Sequence, residues 1–314
     1  IKIGHRQKNL EDAEIIVISS AVGSRNIELI EAKRKKIPVV SRSEILAELM
    51  RLKSNIAVAG THGKTTTTSM VAAVLETGNL DPTVVNGGII QDYGTNARLG
   101  EGDWMVVEAD ESDGTLVKIP STISIITNLD PEHLDHYGSF AALKKTFIKF
   151  INNIPFYGVA ICFIDHPEVK KLISKIKDRR VITYGYSSEA DIQIINLEYK
   201  KNKAHFQIYK KQNEEYFKFK LPMYGDHNVA NATAAITVAF HLKIPLEDIK
   251  KGLENFKGVK RRFTKVYTWN GIDIIDDYAH HPVEISAVLS AARKYASGRV
   301  IAIHQPHRYS RLAN

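Results

Sequence analysis

A chain of 314 residues with 44% hydrophobic residues is long enough for two or three domains with a substantial core. Its 43 Lys+Arg against 35 Asp+Glu give a net charge of +8, but the basic residues are spread through runs such as Lys33-Arg34-Lys35-Lys36 and Lys200-Lys201. These read as solvated faces, which argues against a nucleic-acid partner. A lone cysteine, Cys162, excludes an internal disulfide, and no apolar run is long enough to span a membrane.

Residues 1–53 alternate strand and helix: Ala13 to Ser20 reads as a strand, Asn26 to Lys36 as a helix and Ile37 to Val40 as a second strand. That alternation predicts a parallel sheet with crossover helices. Ser19, Ser20 and Ala21 follow a strand's C-terminal end, where open α/β sheets bind ligands, and read equally well as a plain loop. The N-terminal region lacks the basic-then-apolar pattern of a signal peptide. The chain opens on Ile1 and stops at Leu312-Ala313-Asn314, straight after a charged motif, so it is expected to be a piece of a longer protein.

A second unit, 54–258, opens on the stretch from which most of the chemistry is read. Ile56-Ala57-Val58-Ala59 is an apolar strand, followed by Gly60-Thr61-His62-Gly63-Lys64-Thr65-Thr66. Two glycines permit a tight turn whose backbone N–H groups converge on an anion at the start of the next helix. Lys64 would reach the β- and γ-phosphates of a nucleotide, and the Thr65 hydroxyl would meet the accompanying Mg²⁺. The strict phosphate-loop pattern needs glycine at position 58, where this chain has Val58. The helix from Lys64 is expected to end at Thr77-Gly78, with glycine as a left-handed cap.

Strands are predicted at Pro82 to Asn86 and Trp104 to Glu108, and the second runs straight into Glu108, Asp110, Glu111 and Asp113. Acids at the C-terminal edge of a buried strand beside a phosphate loop suit a cation, although a hydrophilic loop also carries acids. After a strand at Thr122 to Thr127 comes Asn128-Leu129-Asp130-Pro131-Glu132-His133-Leu134-Asp135-His136, in which His133 is favoured as a ligand for a second cation. Zinc catalysis is the rival reading, weakened by the lack of a third ligand at zinc spacing. Ser139 should cap a helix from Phe140 to Ile151.

Residues 157–188 return to strand, helix and strand, with Cys162 inside an apolar strand. Residues 192–198, 204–209 and 216–220 then read as an antiparallel meander with a wet face. Gly225 opens an alanine-rich helix in which Asn228 and Asn231, three apart, share one face; a further helix spans Pro245 to Asn255. In 259–314, a strand enters Asp276-Asp277-Tyr278-Ala279-His280-His281-Pro282, a helix covers Val283 to Tyr295, and a strand Val300 to Ile303 leads to His304-Gln305-Pro306-His307-Arg308-Tyr309-Ser310-Arg311. Taken singly these histidines and arginines read as surface residues; together they could hold a carboxylate.

In order and spacing, seven motifs resemble the Mur ligases: Gly60 to Thr66, Glu108 to Asp113, Asn128 to His136, His227 to Asn231, Lys260-Arg261-Arg262-Phe263, Asp276 to Pro282, and Gln305 to Arg308. The likeness covers essentially the whole chain. It implies a multi-domain α/β protein: a partial UDP-substrate domain (1–53), a central P-loop-type ATPase domain with a mostly parallel sheet and a small antiparallel meander (54–258), and a partial Rossmann-like amino-acid domain (259–314). The tyrosine-alanine-histidine-histidine-proline and histidine-arginine motifs resemble the alanine-adding branch of the family. That branch implies ATP and Mg²⁺ as cofactors, UDP-N-acetylmuramate and L-alanine as substrates, and a cytoplasmic step of bacterial peptidoglycan synthesis.

By the same resemblance, Lys64, Glu108, His133 and Arg262 would be catalytic, with Thr65, Glu108 and His133 on metal. Gly60, Thr61, His62, Gly63, Lys64, Thr65, Thr66, Asn228, Asn231, Arg262 and Asp276 or Asp277 would hold ATP. Tyr278, His280, His307, Arg308 and Arg311 would enclose the amino acid. A murein tripeptide ligase of the same family is the enzyme alternative; a nucleotide-dependent binding module is the alternative of another class.

Overall fold

The computed structural model describes residues 1–19, 21–112 and 114–306. The first segment is a two-stranded parallel sheet, β1 (Ile16–Ile18) and β2 (Val39–Ser41), crossed by α1 (Ile27–Lys35) and followed by α2 (Arg42–Met50). The Asn26 side chain accepts from the Glu28 N–H at the start of α1, and Ser41 and Glu44 form a reciprocal capping box that starts α2.

The centre is one ten-stranded sheet. In chain order its strands are β3 (Ser54–Ala59), β4 (Thr83–Ile90), β5 (Thr95–Arg98), β6 (Trp104–Glu108), β7 (Ile123–Ile126), β8 (Val159–Phe163), β9 (Arg180–Gly185), β10 (Ile192–Lys200), β11 (Lys203–Lys210) and β12 (Glu215–Leu221). In space they run β12-β11-β10-β9-β8-β7-β3-β6-β4-β5. The helices between and after them are α3 (Lys64–Thr77), α4 (Leu134–Tyr137), α5 (Phe140–Asn152), α6 (Pro167–Ile173), α7 (Asp226–His241) and α8 (Leu246–Glu254).

Strand β3 pairs in parallel with β6 on one side and β7 on the other, so the loop after it lies between the C-terminal ends of two neighbours. Alternation along β3 serves two cores. Ile56 and Val58 pack with α3, α7 and α8, whereas Ala57 and Ala59 pack with α5 and Met50 of α2. Ser139 accepts from the Ala142 N–H at the start of α5, and Leu143, Phe147, Phe150 and Ile151 bury that helix's apolar stripe. A fully buried side chain of this kind contributes about 1.5–3 kcal/mol.

The last segment is an antiparallel hairpin, β13 (Thr264–Trp269) and β14 (Ile272–Asp276), followed by α9 (Pro282–Tyr295). No helix among the described residues is long and apolar enough to cross a membrane.

The antiparallel meander forms as expected and continues the main sheet, since β10 pairs in parallel with β9; other expectations change. Gly78 is not a left-handed cap, since its φ is −79°; a Cβ there would come 2.8 Å from the Ile244 side chain, which would have to shift. Residues 300–303 are not a strand, and Ile301 and Ile303 are largely exposed. An apolar run needs a neighbouring strand to accept its hydrogen bonds, and none of the described residues offers one. Cys162 is buried as expected, and burial pushes its thiol up to about 12.

Candidate functional site

The loop after β3 is bent by two glycines and splinted by the segment after β7. Gly60 has φ +137°, and a Cβ there would lie 2.1 Å from Thr127 Oγ1; at Gly63, φ +82°, a Cβ would lie 2.8 Å from Asn231 Oδ1. Between them, the His62 N–H donates to Asn128 Oδ1 (2.7 Å), while Thr127 Oγ1 (2.7 Å) and Asn128 Nδ2 (2.9 Å) donate to the His62 carbonyl. The Asp130 N–H donates to Thr61 Oγ1 (2.8 Å). Helix α3 then starts with no side-chain cap and no acid in its first turn. Its positive end is thus left to an anion, and the close backbone approach suits a polyphosphate.

Lys64 folds over this loop, donating to the Gly60 carbonyl (2.6 Å), the Thr61 carbonyl (3.2 Å) and Glu111 Oε1 (2.9 Å). Burial works against its charge, but Glu111 and Glu108 outweigh that and raise its pKa, so the ammonium stays protonated. Thr65 Oγ1 donates to Glu108 Oε1 (3.1 Å), and the Gly87 N–H donates to Glu108 Oε2 (2.7 Å). A hydroxyl and a carboxylate side by side at the end of β6 are the hard oxygen ligands that Mg²⁺ takes.

The acids of the 108–113 burst separate. Asp110 turns back on its own chain, accepting from the Ser112 N–H and Oγ. Glu111 is 1% exposed; burial pushes it up to about 7 against the opposing pull of Lys64, and its Oε2 has no hydrogen-bond partner among the described residues. His133 Nε2 lies 3.9 Å from Glu111 Oε1, and Glu111, Glu132 and His133 each offer a ligand atom within 4.8 Å of the others. Glu108 is held by Thr65 and Gly87, and the acids that lie within 4.8 Å of His133 are Glu111 and Glu132. Asp113 lies outside the described residues.

Beside the loop a cavity of about 300 Å³ is lined by His62, Gly63, Thr66, Asn228, Asn231 and Arg262, among others. The two asparagines share the inward face of α7, with Asn228 Nδ2 donating to the Tyr224 carbonyl (2.7 Å). Asp277 also lines the cavity and accepts the Phe263 and Ala279 N–H groups, each at 2.7 Å. Asp276 does not line it and instead pairs with Arg261 at 3.3 Å. The Tyr278 ring lies 4.9 Å from the Arg261 guanidinium and 5.2 Å from the His280 ring, next to the cavity but not lining it. His307, Arg308 and Arg311 lie outside the described residues.

Of the titratable residues lining the cavity, His166 and Glu284 escaped the sequence reading, and Asp130 and His227 stood inside motifs without a role of their own. His166 Nε2 lies 3.3 Å from Asp130 Oδ1 and holds that carboxyl below its usual range. Burial lowers His227 to about 4, leaving it neutral at physiological pH. Glu284 Oε1 accepts from His62 Nδ1 at 3.1 Å. Burial alone would raise Glu284, but His62 and Arg262 outweigh it and bring the carboxyl down to about 2. The sequence signal was present as the capping box of His281 and Glu284, which marks a helix start and says nothing of a loop 222 residues away.

A depressed carboxyl stabilises the fold fully above its unfolded pKa, near 4.5, and the contribution is lost as pH falls towards about 2. Urea unfolding between pH 5 and pH 2 should show this loss, about 3 kcal/mol at most by linkage. Glu284→Gln should flatten that part of the profile; an unaltered acid limb would remove Glu284 from it.

Three family descriptions match the chain: "Mur ligase family, catalytic domain" at residues 1–54, "Mur ligase middle domain" at 58–239 and "Mur ligase, glutamate ligase domain" at 261–312. The UDP-N-acetylmuramate–L-alanine ligase of Roseobacter denitrificans is 59% identical over 313 residues, covering 99% of this chain and 67% of the relative. That of Allorhizobium ampelinum is 56% identical over 317 residues, with 99% and 67% covered. Among solved structures, the UDP-N-acetylmuramate–alanine ligase of Thermotoga maritima aligns with a TM-score of 0.81 at 30% identity, over 93% of this chain and 66% of that one. A murein peptide ligase of Psychrobacter arcticus aligns with a TM-score of 0.76 at 26% identity, over 95% and 67%. The chain thus spans about two thirds of the length of these relatives, and with its middle segment matched from 58 to 239 it belongs to the Mur ligase family.

Proposed function

We propose that this chain carries the nucleotide site of an ATP-dependent ligase that joins L-alanine to UDP-N-acetylmuramate in peptidoglycan synthesis. The observation that supports it most is the gathering of Lys64, the Thr65–Glu108 pair and His133 around the uncapped start of α3. Residues 1–53 would serve the UDP-sugar, 54–258 the nucleotide and 259–314 the amino acid. As a step on nucleotide-linked precursors, it is assigned to the cytoplasm.

A carboxylate does not condense with an amine in water. In the proposed reaction a lactyl carboxylate oxygen attacks the γ-phosphorus of ATP, ADP leaves, and an acyl phosphate results. The alanine amine attacks the acyl carbon, the tetrahedral adduct expels phosphate, and the ammonium formed gives up its proton. The chief demand is positioning and charge stabilisation. Lys64 and the first-turn amides of α3 would hold the β- and γ-phosphates, and Arg262 would meet the γ-phosphate. Thr65 and Glu108 would bind one Mg²⁺, and Glu108 with His133 a second, with Glu111 and Glu132 close by; bound Mg²⁺ neutralises phosphate charge. Asn228 and Asn231 would face the adenine side and Asp277 the ribose. Tyr278, His280, His307, Arg308 and Arg311 would surround L-alanine, an arginine gripping its carboxylate.

Phosphate release from ATP, measured with the full-length protein, UDP-N-acetylmuramate and a panel of amine acceptors, tests the reading. L-alanine should support release, while a murein tripeptide should leave it at background. Release with the tripeptide alone would transfer the protein to the tripeptide-adding activity, and release with neither would reject the ligase reading.

A further inference from the structure

We propose that Glu284 is a positioning residue that ties the phosphate loop to the last segment, gripping His62 with one carboxylate oxygen and capping its own helix with the other. The inference rests on the loop being the nucleotide site and adds a residue that the family motifs named above do not include.

The two oxygens face different parts of the molecule. Oε2 takes the His280 N–H at 3.3 Å and lies 3.5 Å from the His281 nitrogen, as a cap on α9 requires. Oε1 takes the His62 Nδ1 proton at 3.1 Å and lies 3.9 Å from Arg262 Nη1. A cap alone would leave Oε1 to solvent; here the Glu284 side chain is 13% exposed and that of His62 11%. A charge-assisted bond in so sheltered a place is directional and resists competition from water.

His62 is held at its backbone and at Nδ1, and its buried Nε2 has no hydrogen-bond partner among the described residues. Its backbone is fixed to Thr127 and Asn128, its Nε2 faces Asp130 Oδ2 at 3.5 Å, and its ring lies 4.6 Å from that of His281. His62 lies between the two glycines of the loop and lines the cavity beside it, so the hold on its side chain bears on the loop's place against a bound nucleotide. Glu284 therefore sets the loop from α9, and a nucleotide that orders the loop must in turn order α9. That reciprocity is the mark of two coupled sites.

A double-mutant cycle on the full-length protein tests this, with affinity for ATP·Mg²⁺ read by titration calorimetry. Glu284→Gln and His62→Ala should each weaken binding about tenfold, the worth of one charge-assisted hydrogen bond, and the double variant should be no weaker than the worse single one. Glu284→Gln should raise the ATP KM while the UDP-N-acetylmuramate KM stays put. Additive losses, or none, would overturn the tie while leaving the nucleotide site standing. Failure of the unaltered protein to bind ATP would overturn both. Should Glu284→Gln lose its helix cap and unfold, His62→Ala alone decides, because it spares the cap. Amide exchange in α9 should slow on ATP·Mg²⁺ addition in the unaltered protein and not in His62→Ala, and equal slowing in both would overturn the proposal.

Discussion

Replacing Lys64 with alanine in the full-length protein should lower ATP-dependent phosphate release by about 10²–10³-fold, as loss of one preorganised charge donor does at other transition states. Lys64 is the cation within hydrogen-bond reach of both the loop carbonyls and Glu111, so its ammonium is already centred on the turn where a polyphosphate would lie. The fold should survive. With its cation removed, Glu111, already raised to about 7 by burial, takes up a proton instead of standing as a bare buried charge. Circular dichroism should therefore match the unaltered protein while release collapses. Near-normal release from a folded variant would remove Lys64 from the phosphate cradle, and collapse through unfolding would show that the Lys64–Glu111 pair is structural.

Gly60→Ala should destabilise the protein by about 3 kcal/mol, combining backbone strain at positive φ with overpacking. The new Cβ would stand 2.1 Å from Thr127 Oγ1 and 3.1 Å from both the nitrogen and the oxygen of Asn128. Thr127 cannot step aside without giving up its bond to the His62 carbonyl, one of those that fix the loop to β7. Nucleotide affinity should fall along with stability, whereas an alanine placed at exposed Gly298, which has open space around it, should do neither. The midpoint and slope of urea unfolding measure the first effect. A Gly60→Ala midpoint equal to that of the unaltered protein would mean that the loop relaxes freely.

The loop and its acid neighbour were legible because a buried parallel strand advertises its end: an apolar run breaks into glycine or carboxylate at the edge where the ligand belongs. β3 and β6 both announce themselves in this way, and the mostly parallel sheet follows from their spacing. The division of labour within 108–113 was not legible. Glu108 is the last paired residue of β6, and beyond it the strand's period of two no longer dictates where a side chain points, so the acids looked alike, yet Glu108 meets Thr65, Asp110 turns back on Ser112 and Glu111 meets Lys64. β13 escaped notice because Val266, Tyr267 and Trp269 are exposed along it and its alternation marks no core. Glu284 escaped for a different reason, since its partner lies 222 positions away and nothing local to a helix cap encodes a distant loop.

One of the two edge strands of the large sheet, β12, leaves one row of backbone N–H and C=O groups that no neighbouring strand among the described residues claims. Along it Tyr216, Lys218 and Lys220 point outward, opposite the buried Phe219 and Leu221. A lysine at alternate positions would have to be stripped of water before a second molecule could zip onto that margin, so the charge acts as a guard against cross-molecular strand addition.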